Sequence, residues 1–152
     1  MISAIAAMAE NRIIGSHGVM PWHIPDEMKW FKDKTMGHTL VMGATTYRHL
    51  PKQLTGRKVI VVTHHDLMLF EGDERCDNLL KLLNEHRNSK AELIISGGAS
   101  IYEQAMPYID RLYLSVIPGT FAGDTFFPEL DPALRQVSCQ SMRGFQIKTF
   151  ER

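Results

Sequence analysis

The sequence predicts an α/β fold: a mostly parallel, twisted sheet of about eight strands, flanked by about four helices, with an antiparallel strand at its C-terminal edge. Three observations predict this fold. Short apolar runs typical of buried strands alternate with helical patterns through most of the 152 residues. The last two runs are joined only by Arg143-Gly144, which predicts a tight turn and an antiparallel pair. No linker or repeat divides the chain, so we expect one domain over residues 1–152.

The predicted elements follow from the apolar pattern and from glycine or proline at its breaks. The predicted strands are 2–8, 39–42, 59–62, a short piece near Arg75, 93–96, 111–117, 135–142 and 145–151. The predicted helices begin at residues 25, 45, 79 and 100 and end near residues 35, 50, 86 and 106. We expect Asp77-Asn78 to cap the third helix, which would bury Leu79, Leu80, Leu82 and Leu83. Residues 9–24 lack periodicity and predict a long loop, and such loops are usually functional.

Composition excludes several classes of protein. Seventeen basic and 17 acidic residues give a formal net charge of +0, which argues against a nucleic-acid binder. No apolar run is long enough to span a membrane, and the N-terminal run lacks the basic start of a signal peptide. Cys76 and Cys139 form no disulfide or metal pattern, and no histidines have zinc-site spacing. We therefore expect a cytoplasmic protein without a metal site.

The stretch from Met20 to Lys32 contains two adjacent acids at the start of a helix. Pro25 suits the first helical position, and Glu27, Met28, Phe31 and Lys32 share much of one face. In one interpretation Asp26 and Glu27 only complement the helix dipole, for about 0.3–1 kcal/mol. In the other, one acid points into an apolar pocket and binds or protonates a ligand.

Three predicted strands end in short polar or glycine-rich segments. These are Gly43-Ala44-Thr45-Thr46, Thr63-His64-His65 and Gly97-Gly98-Ala99-Ser100. Ligands of open α/β sheets bind at the carboxyl ends of strands, and free N–H groups at helix N-termini donate hydrogen bonds to phosphates. The three segments together favour a dinucleotide diphosphate, although the G-x-G-x-x-G fingerprint is absent.

Several of these motifs, in this order, resemble dihydrofolate reductases of the bacterial chromosomal type. They are Pro21-Trp22 with Pro25 and Glu27, Met42-Gly43 with Thr46, Gly56-Arg57-Lys58, Gly97-Gly98-Ala99 with Ile101-Tyr102, and Gly123-Asp124-Thr125. The resemblance implies reduction of 7,8-dihydrofolate to tetrahydrofolate by NADPH, within one-carbon metabolism, by a monomer that also binds antifolates. It implies that Glu27 holds the pterin and assists protonation of N5, whereas Asp26 points outward.

The resemblance also implies a set of site residues. The catalytic set is Glu27, Met20, Trp22, Tyr102 and Ser115. The substrate-binding set is Ile5, Ala6, Ala7, Glu27, Met28, Phe31, Lys32, Leu50, Leu54, Arg57, Ser96 and Ser115. The cofactor set is Ala7, Ile14, Gly15, Met20, Gly43, Ala44, Thr45, Thr46, Thr63, His64, His65, Gly97, Gly98, Ala99, Ser100, Ile101, Tyr102 and Thr125. Arg57 would pair with the α-carboxylate of the glutamate tail, and Asp124 would hold the loop around Met20 closed.

The sequence departs from the family pattern at the phosphate-binding positions. Ala44 and Ser100 stand where many relatives carry basic residues, which predicts weaker discrimination between NADPH and NADH. His64, His65, Arg48 or Lys58 would be the compensating cations. Ser115 replaces a threonine, the C-terminal hairpin loop is short, and the role of His23 is open.

Two other functions remain open at this stage. One is a related reductase acting on another pterin or pyrimidine, such as a riboflavin-pathway enzyme with a similar sheet. The other is a non-catalytic nucleotide-binding or regulatory module.

Overall fold

A computed structural model of the chain describes residues 1–15 and 20–152. The part of the predicted 9–24 loop at residues 16–19 lies outside this description. The strands are β1 Ile2–Ala9, β2 Ile13–Gly15, β3 Thr39–Gly43, β4 Lys58–Val62, β5 Glu74–Cys76, β6 Leu93–Ile95, β7 Arg111–Ile117, β8 Thr125–Phe126, β9 Arg135–Met142 and β10 Phe145–Glu151. The helices are α1 Pro25–Thr35, α2 Ala44–Arg48, α3 Leu79–His86 and α4 Ala99–Ala105, and a 3-10 turn follows at Met106–Tyr108.

Eight strands form one sheet in the order β5-β4-β3-β6-β1-β7-β10-β9. The pairs from β5 to β7 are parallel, whereas β10 is antiparallel to both β7 and β9. The predicted fold class is therefore confirmed. Because β6 returns between β1 and β3, the carboxyl ends of these three strands meet at one point, where open α/β sheets bind ligands.

Helices cover both faces of the sheet. On one face α3 and α4 pack against a large apolar cluster that includes Leu83 and Ala105. On the other face Tyr47 of α2 is in the core of a second cluster, against which Trp30 and Phe31 of α1 pack. A third, smaller cluster has Ile117, Phe145 and Ile147 at its centre. None of the helices in the described part of the chain is long and apolar enough to cross a membrane.

The helix ends agree with the sequence pattern. Pro25 is in the first turn of α1, and Gly37 follows the helix with a φ of +80°, which glycine adopts without a steric penalty. The side chain of Asn78 accepts a hydrogen bond from Lys81 N at 3.1 Å and so caps α3. The prediction that Leu80 is buried is wrong, since its side chain is 47% exposed. Leu79 and Leu83 are four residues apart, so they lie on the same face of the helix and are buried. Leu80 lies about 100° further around the helix and faces outward.

The predicted 9–24 loop contains a strand that the sequence did not indicate. Residues Ile13–Gly15 form β2, which pairs with β8 in a separate two-stranded sheet. Strands of three and two residues are too short to show alternation, so only the contact between distant segments defines them.

Candidate active site

A cavity of about 370 Å³ opens where β1 and β6 end, between α1, α2 and α4. Its lining combines apolar side chains with a few polar groups, as ligand pockets usually do. The lining residues are Ala7, Ile14, Met20, Trp22, His23, Ile24, Glu27, Met28, Thr46, His49, Leu50, Pro51, Ser96, Gly97, Gly98 and Tyr102.

Glu27 is the only carboxylate among the described residues that line this cavity. It is 6% exposed although it lies in the first turn of a surface helix. Burial removes its carboxyl group from water and raises the pKa of Glu27 from 4.5 to about 7. Asp26 is instead exposed and lies 3.9 Å from Arg143 in the C-terminal hairpin turn. The two adjacent acids therefore differ in environment, and buried Glu27 can hold a proton near neutral pH.

Tyr102, on α4, lines the same cavity as Glu27. Its hydroxyl donates a hydrogen bond to the carbonyl oxygen of Ile5 at 2.7 Å. Burial and, to a lesser degree, the charge of Glu27 raise the pKa of Tyr102, so the phenol stays neutral.

Trp22 contributes a polar donor to the same cavity. Its indole Nε1 is buried and has no hydrogen-bond partner among the described residues. An indole N–H can only donate, and buried donors are normally paired. The hydrogen-bonding capacity of this N–H is therefore unused within the described part of the chain.

A second groove of about 410 Å³ adjoins the first and shares Ile14, Thr46 and Gly98 with it. It follows the amino-terminal ends of α2 and α4. Its other lining residues are Gly15, Gly43, Ala44, Thr45, Ala99, Ser100, Ile101 and Thr125. Eleven of the predicted cofactor residues thus line this one groove.

The backbone of this second groove is suited to close approach by a ligand. A Cβ on Gly43 would lie 3.3 Å from Ile101 Cγ1, and one on Gly98 would lie 3.4 Å from Thr46 Oγ1. The Gly97-Gly98 peptide bond is cis, and Gly97 accepts a hydrogen bond from Gly43 N at 2.9 Å. Glycine at these positions leaves the main chain uncovered, which fits a dinucleotide with its diphosphate at this edge.

The third predicted phosphate-facing segment lies elsewhere. Thr63 and His64 line a separate polar groove with Arg75 and Asn78, and His65 lines none of these three cavities. The hydroxyl of Thr63 accepts a hydrogen bond from His65 N at 3.1 Å and so closes a local turn.

Lys58, predicted as a compensating cation, is at the amino end of β4, away from the strand ends that form the groove. It pairs there with Glu74 at 2.7 Å.

The predicted floor of the substrate site divides between the two faces of the sheet. Ala7 lines the cavity, whereas Ala6 packs in the large cluster on the opposite face, contrary to expectation. Side chains alternate along a strand, so three consecutive residues cannot share one face. Ile5 points the same way as Ala7 but lies deeper, in the second cluster.

The other predicted substrate residues divide between the cavity lining, the second apolar cluster and the protein surface. Met28, Leu50 and Ser96 line it. Phe31 and Leu54 pack against the second apolar cluster and are not among its lining residues. Lys32 is exposed on the surface of α1.

Arg57 is held beside the end of α1 rather than in the cavity. Its guanidinium donates to Thr35 Oγ1 and to the carbonyl oxygen of Thr55, each at 3.2 Å. These bonds fix the orientation of a half-buried cation near the helix that carries Glu27 and Met28.

Ser115 is 1% exposed and lies opposite Ala7 in the parallel pair of β1 and β7. Register partners point to the same face, so its hydroxyl is on the cavity side of the sheet. This hydroxyl has no hydrogen-bond partner among the described residues.

Comparison with known proteins decides the family. The family model for dihydrofolate reductase matches residues 1–146 of the 152. The chain belongs to the dihydrofolate reductase family.

Individual members of this family are similar over most of the chain. The chain is 40% identical to the dihydrofolate reductase of Bacillus subtilis (strain 168) over 131 residues, which covers 86% of this chain and 77% of that protein. It is 36% identical to the dihydrofolate reductase HdrB of Haloferax volcanii, over 97% of this chain and 81% of that protein. A solved structure of the Enterococcus faecalis dihydrofolate reductase, complexed with NADP(H) and RAB-propyl, superposes with a TM-score of 0.89 at 32% identity. That match covers 100% of this chain and 96% of the other.

Membership of the dihydrofolate reductase family decides between the three functions that the sequence left open. It confirms the resemblance and identifies the chain as an enzyme. A nucleotide-binding module without activity is therefore excluded.

Sequence reasoning missed some of the cavity residues and left the role of His23 open. Ile24, His49 and Pro51 line the cavity beside Leu50. His49 directly follows α2 and lies three residues after Thr46, which also lines the cavity. Residues three apart share a helix face, and this spacing could have indicated His49 as a cavity residue. Its Nδ1 donates to the carbonyl oxygen of Thr45 at 2.7 Å, so this contact fixes the ring.

The segment between β7 and β8 contacts Gly15, the last residue of β2. Asp124 N donates to the carbonyl oxygen of Gly15 at 3.2 Å, and Asp124 Oδ1 accepts from Thr125 Oγ1 at 2.9 Å. A Cβ on Gly123 would lie only 2.5 Å from Gly15 O. The two segments are therefore in direct backbone contact at Gly15, which lines the second groove.

Proposed function

We propose that the protein reduces 7,8-dihydrofolate to 5,6,7,8-tetrahydrofolate with NADPH, and that Glu27 binds the pterin and assists protonation of its N5. One observation carries this proposal: a single buried carboxyl group, with a pKa of about 7, lies in an apolar cavity that adjoins a glycine-lined groove. The family and the NADP(H) complex of the Enterococcus faecalis relative support the choice of substrate and cofactor.

Glu27 fits the role of pterin ligand and proton source. A carboxyl group with a pKa near the working pH is present in both protonation states, as general acid–base catalysis requires. The buried carboxylate can accept hydrogen bonds from the N–H groups of a pterin, and the protonated form can assist transfer of a proton to N5. The deep position of Glu27 excludes most water, which strengthens these interactions.

The second groove fits NADPH, which supplies a hydride for C6 of the pterin when it is bound. Thr45, Thr46 and Ser100 offer hydroxyl groups, and Gly43 and Gly98 leave the backbone open to the diphosphate. Ile14, Thr46 and Gly98 line both cavities, so a nicotinamide at this boundary would lie against the pterin. Met20 and Trp22 would cover it and exclude water.

The remaining roles concern the rest of the substrate. We assign Arg57 and Lys32 to the carboxylates of the glutamate tail, because a guanidinium held by two hydrogen bonds is oriented for a bidentate pair. Met28, Phe31, Leu50 and Leu54 would contact the pterin and benzoyl rings. Ser115 would order Glu27 through its buried hydroxyl. We expect a monomer that contributes to one-carbon metabolism and binds antifolates in the same cavity.

The decisive experiment measures loss of absorbance at about 340 nm with NADPH and dihydrofolate. Glu27→Ala and Asp26→Ala form a matched pair, since the residues are adjacent and differ in burial. We expect Glu27→Ala to lower kcat/KM at least about a hundredfold, within the usual range for general acids, and Asp26→Ala to have little effect. A folded wild-type protein that does not oxidise NADPH would refute the function, and equal losses in both variants would refute the role of Glu27.

A further inference from the structure

Phe121, in the segment between β7 and β8, contacts the tryptophan of the cavity directly. The ring centroids of Phe121 and Trp22 are 5.5 Å apart and their planes meet at 63°, an edge-to-face arrangement. Both rings also pack against the small apolar cluster of Ile117, Phe145 and Ile147. Trp22 therefore lines the cavity and also packs against this cluster beside Phe121.

Asn11 fixes the position of Phe121. Its Nδ2 donates to the carbonyl oxygen of Phe121 at 2.9 Å, and its Oδ1 accepts from Phe121 N at 3.4 Å. Asn11 itself lies in a tight turn after β1, closed by a hydrogen bond from Arg12 N to Ala9 O at 2.9 Å. Because one amide side chain pairs with both backbone groups of a single residue, Phe121 is tied to the end of the central strand.

The orientation of the Trp22 ring has a consequence for chemistry in the cavity. Its buried Nε1 has no partner among the described residues, and Glu27 lines the same cavity. The direction in which this N–H points is set by the ring plane, and the ring plane is restricted by what packs against it.

We propose that Phe121, clamped by Asn11, is a positioning residue that orients the Trp22 indole in the cavity that contains Glu27. The effect on turnover rests on the proposed function, whereas the effect on the orientation of Trp22 does not. A residue that only filled the apolar cluster would affect stability and leave turnover and its pH dependence unchanged.

The first test compares steady-state kinetics of Phe121→Ala and Phe121→Leu with the wild type. We expect Phe121→Ala to lower kcat about three- to tenfold, which is the rate factor that corresponds to the interaction energy of one aromatic pair. We also expect a smaller change in KM and a displaced pH profile of kcat. Phe121→Leu keeps apolar bulk without a ring, so we expect its kcat to lie between those of the wild type and Phe121→Ala. Phe126→Ala is the matched control, because Phe126 is a nearby phenylalanine that is 54% exposed.

Variants of Asn11 test the clamp without changing either ring. Asn11→Asp keeps an acceptor for Phe121 N but loses the amide donor, and Asn11→Ala loses both bonds. We expect kcat to fall in the order wild type, Asn11→Asp, Asn11→Ala. The proposal is overturned if Phe121→Ala and Asn11→Ala keep the wild-type kcat and pH profile, even if both melt at a lower temperature.

The second test is optical and needs no activity. The chain has two tryptophans, so Trp30→Phe leaves Trp22 as the only one. In this background we expect Phe121→Ala to shift Trp22 emission to longer wavelength and to increase its quenching by acrylamide, and Phe126→Ala to change neither. Unchanged emission overturns the positioning of Trp22, and changed emission with unchanged kcat overturns its role in turnover. If the wild type does not oxidise NADPH, the proposed function fails, and the optical test still decides whether Phe121 positions Trp22.

Discussion

The hydroxyl of Tyr102 donates a hydrogen bond to the carbonyl oxygen of Ile5 across 2.7 Å in the protein interior. This bond joins α4 to the central strand β1, 97 residues away in sequence.

We expect Tyr102→Phe to lower the free energy of unfolding by about 1–3 kcal/mol, because the buried oxygen of Ile5 loses its side-chain donor. Urea denaturation measures this difference. Tyr108→Phe is the control, since Tyr108 is only half-buried and its ring lies under Arg87, so we expect a change within about 0.5 kcal/mol. Equal stability of Tyr102→Phe and the wild type would contradict the prediction.

Burial of Glu27 makes the stability of the ligand-free protein depend on pH. The pKa of Glu27 is 4.5 in the unfolded chain and about 7 in the folded one, so the folded state binds more protons between these values. Stability therefore falls as pH rises through this window. We expect Glu27→Gln to be more stable than the wild type by about 3 kcal/mol at about pH 8, and the difference to vanish below about pH 4.5. Denaturant unfolding across pH tests this, with Asp26→Asn at the exposed neighbouring position as the matched control.

The same titration predicts the pH dependence of catalysis. If protonated Glu27 assists proton transfer, kcat/KM falls as pH rises through about 7, the pKa of the free enzyme. Initial rates between about pH 5 and pH 9 measure this profile. A flat profile through neutrality would assign protonation to another group.

Gly123 is closely packed against Ile13 and Gly15 of β2. A Cβ there would lie 2.5 Å from Gly15 O and 2.8 Å from Ile13 Cγ2, so Gly123→Ala must separate the two segments. We expect weaker NADPH binding and a lower kcat, because Gly15 and Thr125 line the cofactor groove. Fluorescence titration with NADPH and steady-state rates check this. Ala122→Ser, at the exposed neighbouring position, should behave like the wild type.

The cofactor groove has no cationic side chain among its described lining residues. Introducing Ala44→Arg together with Ser100→Arg places guanidinium groups at the start of α2 and of α4. A charge-assisted hydrogen bond contributes about 1.5–3 kcal/mol, so we expect the kcat/KM ratio of NADPH over NADH to rise about tenfold or more. Lys58→Gln should leave the ratio unchanged, because Lys58 pairs with Glu74 at the other end of β4. An unchanged ratio in the double variant would show that the 2′-phosphate lies elsewhere.

The amino-acid sequence by itself determined the helices and strands, and which residues of α1 share one face. Apolar runs, Pro25 and the glycines at positions 43 and 97 set most boundaries within one or two residues. Helical spacing placed Glu27 on one face of α1 with Met28 and Phe31, and the resemblance to the family then favoured Glu27 over Asp26. These are local properties of the chain, which explains why they could be predicted.

Tertiary structure alone decided which distant segments meet. The insertion of β6 between β1 and β3 brings Ala7, Ser96 and Gly97 together, and the pairing of β2 with β8 brings Gly15 to Gly123. The contact of Trp22 with Phe121 and the placement of Ala6 away from the cavity are of the same kind. Such contacts depend on how the sheet and helices pack and leave no periodic signal near either residue, so the sequence could supply the candidates for the site but not its geometry.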